Sequence, residues 1–120
     1  MTENTNIWMD GIMGVVVGDA LGCPVQFESR EEVARHPVTD MREYGTFNLP
    51  EGSWTDDSSL TIALLESIRR VGEIDLDDIM GNFMKWLYDG EFLPSNAGNG
   101  LKKCVKSDNS KSTGENVYQI

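Results

Sequence analysis

The chain has 120 residues, of which 39% are hydrophobic and 25% are charged, and this composition fits one small globular domain. Its formal net charge is −10, which argues against nucleic acid as the main partner, because a phosphate backbone repels an acidic protein. There are only two cysteines, Cys23 and Cys104, far apart in sequence, and they form neither a disulfide framework nor a zinc pattern, so we expect both to be buried or incidental thiols.

The first predicted helix, IWMDGIMGVVVGDALG, runs from Ile7 to Gly22 and carries its glycines on one face. These glycines are Gly11, Gly14, Gly18 and Gly22. Each glycine costs roughly 1 kcal/mol in a helix, so four together need a compensating contact. Close packing of another helix is the commoner explanation, and the alternative is an adjacent cleft in which a ligand approaches the bare backbone.

The sequence before Ile7 is polar and acidic, unlike a signal peptide. The longest apolar run, near Val15 to Val17, is too short to span a bilayer. We therefore expect a cytoplasmic protein that has no membrane partner.

The segment after the first helix is predicted to be irregular. Pro24 ends the helix, and Val25 to Glu28 is predicted to be extended. Ser29 opens a capping box and predicts a short helix that runs to about His36. This single histidine precedes a proline, which favours a solvated terminal residue over a general base. Met41 to Ser53 contains glycines and a proline and is predicted to be a loop.

Two further helices are predicted in the second half of the chain. One begins after Asp57 and ends at Gly72. Its apolar stripe consists of Leu60, Leu64, Ile68 and Val71 and is widened by Ala63 and Leu65. The next is capped by Asp75 and ended by Gly90. Its apolar face, which we expect in the core, consists of Ile79, Met80, Phe83, Met84 and Leu87.

Composition changes after Pro94. Up to that residue 18 acidic residues stand against 6 lysines and arginines, whereas from Ser95 four lysines stand against Asp108 and Glu115. We therefore predict an all-α domain with long polar loops in residues 1–94, followed by a polar, weakly structured tail in residues 95–120.

The stretch GSWTDDSSLT places Thr55, Asp56 and Asp57 side by side where a helix begins. Adjacent carboxylates repel each other, so a positive partner is needed. Helix capping is the commoner reason for aspartate at such a position. A hard cation such as Mg²⁺ or Mn²⁺, which takes oxygen ligands, is the alternative, and it would also use the threonine hydroxyl.

Two motifs together favour metal binding over helix capping as the reason for the adjacent aspartates. GDALGCPVQF, followed some thirty residues later by GSWTDDSSLTIALLES, resembles the N-terminal part of the ADP-ribosylglycohydrolase family over residues Trp8 to Glu91. The family includes the dinitrogenase reductase-activating glycohydrolases and the ADP-ribosyl-acceptor hydrolases. The resemblance implies an all-α bundle around a cleft that holds two divalent cations, usually Mg²⁺ or Mn²⁺.

The resemblance also implies residue roles and a reaction. Thr55, Asp56 and Asp57 match ligands of the metal pair. The reaction it implies is hydrolysis of the bond between the ribose C1″ of ADP-ribose and an acceptor. The expected partner is accordingly an ADP-ribosylated protein or a small ADP-ribose derivative. The ions would anchor ribose hydroxyls and position a water, which is Lewis-acid and template work.

The sequence departs from the family pattern at a position to which catalysis is assigned. Many members have a glutamate where Gln26 stands, and an amide cannot take a proton as a carboxylate does. Glu28 would share a face with Gln26 in an extended segment, which makes it a weak substitute candidate. A solvated loop acid is the commoner fate of such a glutamate.

The chain also lacks other parts of the family pattern. Members are well over twice as long, and their C-terminal part supplies further metal ligands. The stretch 96–100 lacks the aspartate of a family motif, and Asp40 and Asp108 have no suitable context. We therefore expect this chain alone to be inactive. We also expect it to leave apolar surface uncovered, and so to be marginally folded, self-associating or dependent on a partner. The alternatives are a non-catalytic binding or structural member and a degenerate gene fragment.

Overall fold

The computed structural model describes residues 6–94, and these residues form an all-helical arrangement, as predicted. Its helices are α1 (Ile7–Gly22), α2 (Arg30–Arg35), α3 (Asp56–Val71) and α4 (Leu76–Met84). Between and after them lie 3₁₀ turns at Cys23–Val25 and Gly45–Phe47 and a π-helical turn at Lys85–Asp89. Residues 6–94 contain no strand, only an isolated antiparallel bridge between Tyr44 and Leu49. The predicted tail, with Cys104 and Asp108, lies outside the described residues, so the boundary at Pro94 stays a prediction.

Helix α1 touches the other described elements mainly through its C-terminal end. Its N-cap is Asn6, whose side chain accepts a hydrogen bond from the Met9 amide at 3.2 Å. Ala20 is its one buried residue, whereas Ile7 and Trp8 are 74% and 81% exposed. The N-terminal turns of α1 therefore present apolar side chains to solvent in the described part of the chain, and their self-association stays a prediction.

The glycine face of α1 is open. A Cβ atom built at any of its four positions meets nothing within 4 Å among the described residues; the positions are Gly11, Gly14, Gly18 and Gly22. The expectation of a closely packed helix on this face is therefore wrong for residues 6–94. The alternative, a cleft beside bare backbone, fits the structure.

The stretch Ile7–Val25 is also long and apolar enough to cross a membrane, judged by length and composition alone. The expectation drawn from Val15 to Val17 was too narrow, because it counted only uninterrupted apolar residues. Core helices of soluble proteins and signal sequences share this length and composition, so neither property alone identifies a membrane span. The absence of a membrane partner stays a prediction.

The prediction of an extended segment at Val25 to Glu28 is wrong. The Glu28 amide donates to the Val25 carbonyl at 3.0 Å, and Phe27 has a φ of 68°, so the chain turns at Gln26 and Phe27. The next prediction is confirmed, since α2 begins after Ser29, whose hydroxyl accepts from the Glu32 amide at 3.1 Å. His36 follows the last residue of α2 and is exposed.

The predicted loop at Met41 to Ser53 holds this turn in place. Gly45 has a φ of +57°, and a Cβ atom there would lie 2.2 Å from the Pro24 carbonyl oxygen, so only glycine allows the two backbones to touch. The adjacent Thr46 hydroxyl donates to the Gln26 carbonyl at 2.6 Å. Buried Cys23 and Leu49, with Phe47 and Leu93 against them, form a small core underneath.

Helices α3 and α4 pack through small and polar residues. Ser59, Ala63 and Ser67 recur every fourth residue on α3 and are fully buried. The Asn82 amide of α4 donates to the Ala63 carbonyl at 3.0 Å, and the Ser67 hydroxyl donates to Asp78 at 2.6 Å. These bonds tie the two helices together inside their interface.

The apolar stripes are therefore less buried than their spacing predicts. On α3 the stripe is half-buried at Leu60, Leu64 and Ile68 and exposed at Val71. On α4 Ile79 is buried, but Met80 and Met84 are 57% and 46% exposed, so the prediction that both methionines lie in the core is wrong for the described chain. The small face of α3 takes the tight contact because it lets the helix backbones approach closely.

The predicted helix ends are confirmed. Gly72 closes α3 with a φ of 87°, and Asp75 caps α4 by accepting from the amides of Asp77 and Asp78. Gly90, with a φ of 70°, ends the π-helical turn that follows α4. The chain then returns to the start of α3, where the Ser59 hydroxyl donates to the Phe92 carbonyl at 2.9 Å.

Candidate active-site cleft

Asp19, in the last turn of α1, caps the N-terminus of α3 from a distant part of the chain. Its Oδ1 atom accepts a hydrogen bond from the Thr55 hydroxyl at 2.6 Å. Its Oδ2 atom accepts from the Thr55 amide at 2.8 Å and from the Ser58 hydroxyl and amide at 2.6 and 3.1 Å. Because Thr55 and Ser58 are only 6% and 0% exposed, water does not compete well for these donors. The carboxylate therefore fixes the start of α3 against α1.

This arrangement overturns the capping interpretation of the aspartate pair. The N-cap residue of α3 is Thr55, and its own side chain makes no capping bond. Asp56 and Asp57 lie in the first turn, where they can interact with the positive end of the helix but do not cap it. Within residues 6–94 neither carboxylate accepts a hydrogen bond or forms an ion pair.

Negative charge accumulates at this helix start. Asp57 is exposed and Asp56 is half-buried. Desolvation, followed by the charges of Asp56 and Asp19, raises the pKa of Asp57 above its ordinary value of 3.8. The described residues place no cation beside these three carboxylates, so the electrostatic cost of the cluster is not relieved by the protein there.

A cavity of about 490 Å³ lies between the glycine face of α1 and the start of α3. We call it the cleft, and its walls are Gly14, Val15, Gly18, Asp19, Gly22, Cys23, Gln26 and Asp57. The cleft therefore brings both sequence motifs to one place, with Asp57 from the second motif facing residues of the first. Thr55 and Asp56 lie next to Asp57 in sequence but do not form its walls.

The two candidate catalytic residues, Gln26 and Glu28, differ in their position relative to the cleft. Gln26 lines the cleft, and its backbone is held by Thr46 through the 2.6 Å bond to its carbonyl. Glu28 is exposed and outside the walls of the cleft, because the turn at Phe27 separates it from Gln26. The shared face expected for these two side chains required an extended segment, so Glu28 is not placed to substitute for Gln26.

The donor set suits one side of a hard cation. A hydroxyl oxygen and two carboxylates are the ligand types that Mg²⁺ and Mn²⁺ accept, and the raised pKa of Asp57 marks a place where a positive charge would be favourable. Residues 6–94 contain no group of three His, Cys, Asp or Glu side chains that could hold a metal ion. The described chain therefore offers a partial ligand set, and the metal assignment of Thr55, Asp56 and Asp57 stays a prediction.

The role of Asp19 is not predicted by the sequence. The residue stands inside the quoted GDALG motif, yet an aspartate within a glycine-rich helix gives no sign of its partner. Its contacts span 36 to 39 residues, so no local spacing rule could find them. The sequence signal that could have indicated an acceptor was the spacing of Thr55 and Ser58 at the start of a helix, because both residues carry hydroxyl donors.

Comparison with known proteins identifies the family. Residues 8–118 match the sequence profile of the family described as ADP-ribosylglycohydrolase. This match is longer than the range from Trp8 to Glu91 over which the two motifs indicate the resemblance. The chain is 34% identical over 89 residues to ADP-ribosylarginine hydrolase Tri1 of Serratia proteamaculans. The aligned region covers 74% of this chain and 22% of that protein.

A second relative is the ADP-ribosyl-[dinitrogen reductase] glycohydrolase of Rhodospirillum rubrum, at 31% identity over 100 residues, or 82% of this chain and 33% of that protein. The chain thus spans about a fifth to a third of the length of these relatives. The family match covers most of the chain, and the cleft is built from the two motifs that carry the resemblance. The chain belongs to the ADP-ribosylglycohydrolase family.

Proposed function

We propose that this chain forms one wall of a metal-dependent site that hydrolyses ADP-ribosyl linkages. The observation that carries the proposal is the cleft, in which the glycine face of α1 and Gln26 stand opposite Asp57. The names of the relatives support the reaction class, since one is a hydrolase of ADP-ribosylarginine and another acts on ADP-ribosylated dinitrogen reductase. The substrate proposed here is an ADP-ribosylated protein or a small ADP-ribose derivative.

The metal part of the proposal rests on the start of α3. Thr55, Asp56 and Asp57 would hold Mg²⁺ or Mn²⁺, because their oxygens suit these ions and because Asp56 and Asp57 have no other cationic partner among the described residues. When bound, such an ion supplies Lewis-acid chemistry and a template for the ribose hydroxyls and a water. With only three protein ligands described, we expect the affinity to be low.

The open glycine face supports binding of a sugar or nucleotide. The cleft is an open groove of about 490 Å³, so a ligand there would meet the described residues on one side. No side chain projects from Gly14, Gly18 or Gly22, so a flat or bulky group could contact the helix backbone directly. We propose that this face receives part of ADP-ribose and that the cost of four helical glycines is offset by that access.

Gln26 favours a second candidate function, the binding of ADP-ribose without its hydrolysis. It lines the cleft at the position where the family resemblance implies a glutamate in many members, and Glu28 is not among the residues that line the cleft. A neutral amide can hydrogen-bond a ribose hydroxyl but cannot act as a general base. A non-catalytic member would retain the cleft and the metal ligands and lack turnover.

Metal and ligand binding test the first part of the proposal. We expect the 120-residue chain to bind Mn²⁺ in solution and to bind ADP-ribose more tightly when Mn²⁺ is present, as measured by calorimetry. The pair Asp56→Asn with Asp57→Asn should weaken Mn²⁺ binding at least tenfold. Asp77→Asn is the matched control, because it removes a first-turn acid from α4 and should change nothing. Equal Mn²⁺ binding by the paired variant would refute the metal assignment.

Turnover separates the two candidates. We expect no hydrolysis of an ADP-ribosylarginine peptide by the unaltered chain, because its described residues supply only part of the ligand set. In a form that carries all the family's ligands, Gln26→Glu should raise turnover if the site is hydrolytic, since general bases contribute about a hundred- to ten-thousand-fold. Tight ADP-ribose binding with no turnover in either form would favour the binding function.

A further inference from the structure

The Thr55 hydroxyl is bonded in an unusual way for a helix N-cap. An N-cap threonine ordinarily uses its oxygen as an acceptor for an amide of its own helix, and Thr55 makes no such bond. Asp19 takes over that task by accepting the Ser58 amide at 3.1 Å. The hydroxyl of Thr55 is left to donate its one proton to Asp19 Oδ1 at 2.6 Å.

A hydroxyl has one proton and two lone pairs, and the two kinds of site point in different directions. Because the proton of Thr55 is directed at Asp19, the lone pairs of the same oxygen face elsewhere. Among the described residues this oxygen accepts no hydrogen bond, so its lone pairs are not used by the protein. A cation binds an oxygen through such lone pairs, and a proton directed at the cation would repel it.

We propose that Asp19 is a positioning residue for the cation, acting through Thr55: it holds the hydroxyl proton away so that the oxygen presents its lone pairs to the metal. The inference rests on the proposed metal-dependent function. Groups that orient metal ligands in this way commonly change metal affinity by 10- to 100-fold when altered. We call the four hydrogen bonds that Asp19 accepts from Thr55 and Ser58 the clamp. Its two backbone bonds, from the Thr55 and Ser58 amides, fix the position of the first turn of α3.

The charge of Asp19 acts in the same direction. Asp19 and Asp57 both line the cleft, and Asp56 is next to Asp57 in the first turn of α3. A third carboxylate therefore adds to the attraction that a cation experiences at this helix start. The role is distinct from simple capping, because the Ser58 bonds and the Thr55 amide bond would satisfy the helix start without the hydroxyl.

Mn²⁺ affinity in four variants of the full 120-residue chain tests the proposal by electron paramagnetic resonance. Asp19→Asn replaces one acceptor oxygen by an NH₂ group and should weaken Mn²⁺ binding about 10- to 100-fold. Thr55→Val should weaken it similarly. In the double variant the two losses should not add, because Asp19 acts through the hydroxyl that valine lacks.

Ser58→Ala is the matched control. It removes the 2.6 Å bond from the Ser58 hydroxyl to the same carboxylate but leaves the Thr55 contact in place. We expect it to lower the unfolding midpoint in urea and to leave Mn²⁺ affinity within twofold of the unaltered chain. Equal loss of Mn²⁺ affinity in Ser58→Ala and Asp19→Asn would show that only the stability of the helix start matters, and would overturn the proposal.

Asp19→Asn also disturbs the bonds that hold the start of α3, so the unaltered protein supplies a second measurement that does not depend on the folding of a variant. The Thr55 hydroxyl proton should give a slowly exchanging NMR signal, because it is buried and bonded to Asp19. The signal should persist when Mg²⁺ is bound, and its loss on Mg²⁺ addition would overturn the proposal. Additive losses in the double variant would do the same while leaving the metal function intact, whereas no Mn²⁺ binding by the unaltered chain would overturn both.

Discussion

Helices α3 and α4 begin with similar sequences and are capped in opposite ways. Each has two acidic residues in its first turn, Asp56 and Asp57 in α3 and Asp77 and Asp78 in α4. The cap of α4 is local, since Asp75 accepts from the amides two and three residues later at 3.0 and 3.1 Å. The cap of α3 comes from Asp19, 36 to 39 residues away.

The acids that follow the two caps differ as well. In α4, hydrogen bonds from Arg70 and from Ser67 lower the pKa of Asp78. In α3, desolvation and neighbouring carboxylates raise the pKa of Asp57. The comparison separates two roles for an acid in the first turn of a helix: Asp78 of α4 is bonded to Arg70 and Ser67 and supports the fold, whereas Asp57 of α3 lacks such a partner among the described residues and lines the cleft.

The largest effect is expected from removing the distant cap. Asp19→Ala leaves the buried donors of Thr55 and Ser58 without an acceptor, and hydrogen bonds to a charged group are worth about 1.5–3 kcal/mol each. We expect a loss of about 3–6 kcal/mol in the free energy of unfolding, measured in urea, which is less than the sum over the four bonds because all four share one carboxylate. Asp10→Ala, an exposed acid of the same helix, should change it by less than about 0.5 kcal/mol. Similar losses from the two variants would abolish the distinction between the caps.

The next effect concerns the ionised form of Asp78. Because its pKa in the folded protein is lowered, it contributes stability above the unfolded value near 3.8, and that stability is lost as the pH falls through the folded pKa. Asp78→Asn should therefore lower the urea midpoint clearly at pH 7 and much less at pH 3. Asp77→Asn provides the control, since its side chain makes no bond to Arg70 or Ser67. A gap of equal size at both pH values would show that the charge of Asp78 is unimportant.

Removing the local cap should cost less than removing the distant one. Asp75→Ala leaves two amides of α4 to be hydrated at an exposed helix end, and such changes typically cost about 1 kcal/mol. Asp75→Ser, which keeps an acceptor, should recover most of the loss in the same urea measurement. A cost equal to that of Asp19→Ala would mean that burial of the α3 cap adds nothing.

The smallest effect should have the opposite sign. Because the pKa of Asp57 is raised in the folded protein, its ionised form costs stability above that pKa, and the cost disappears below the unfolded value near 3.8. Asp57→Asn should therefore stabilise the metal-free chain slightly at pH 7, by well under 1 kcal/mol because the group is exposed. The gain should vanish at pH 3. Destabilisation at pH 7 would show that this acid supports the fold.

The sequence predicted the helices well because their signals are local. Two helices begin at a side-chain cap, Ser29 or Asp75, that bonds amides two or three residues away. Two helical segments end at a glycine with positive φ, Gly72 or Gly90. All four positions were predicted correctly. The burial of side chains was predicted less well. Apolar spacing predicts which face of a helix is apolar but not which element packs against it. On α3 the face formed by Ser59, Ala63 and Ser67 is fully buried, whereas the leucines are only half-buried.

The candidate site was predicted in part. The motifs identified Gln26 and the acidic pair, and the cleft unites Gln26 with Asp57. The roles of Asp19 and Glu28 depended on features without a local pattern. Asp19 acts over a long chain separation, and the turn at Phe27 requires a positive φ in a non-glycine residue, which sequence rules disfavour.

The distance along the chain between Asp19 and Thr55 has a consequence for how the protein folds. Contacts between segments far apart in sequence close a long loop and therefore form late, whereas the α3 and α4 contacts join neighbouring helices. We expect the helical hairpin to assemble first and the clamp at Asp19 to join it afterwards. The cleft would then be completed in the final step of folding, and it would be among the first parts of the native protein to open.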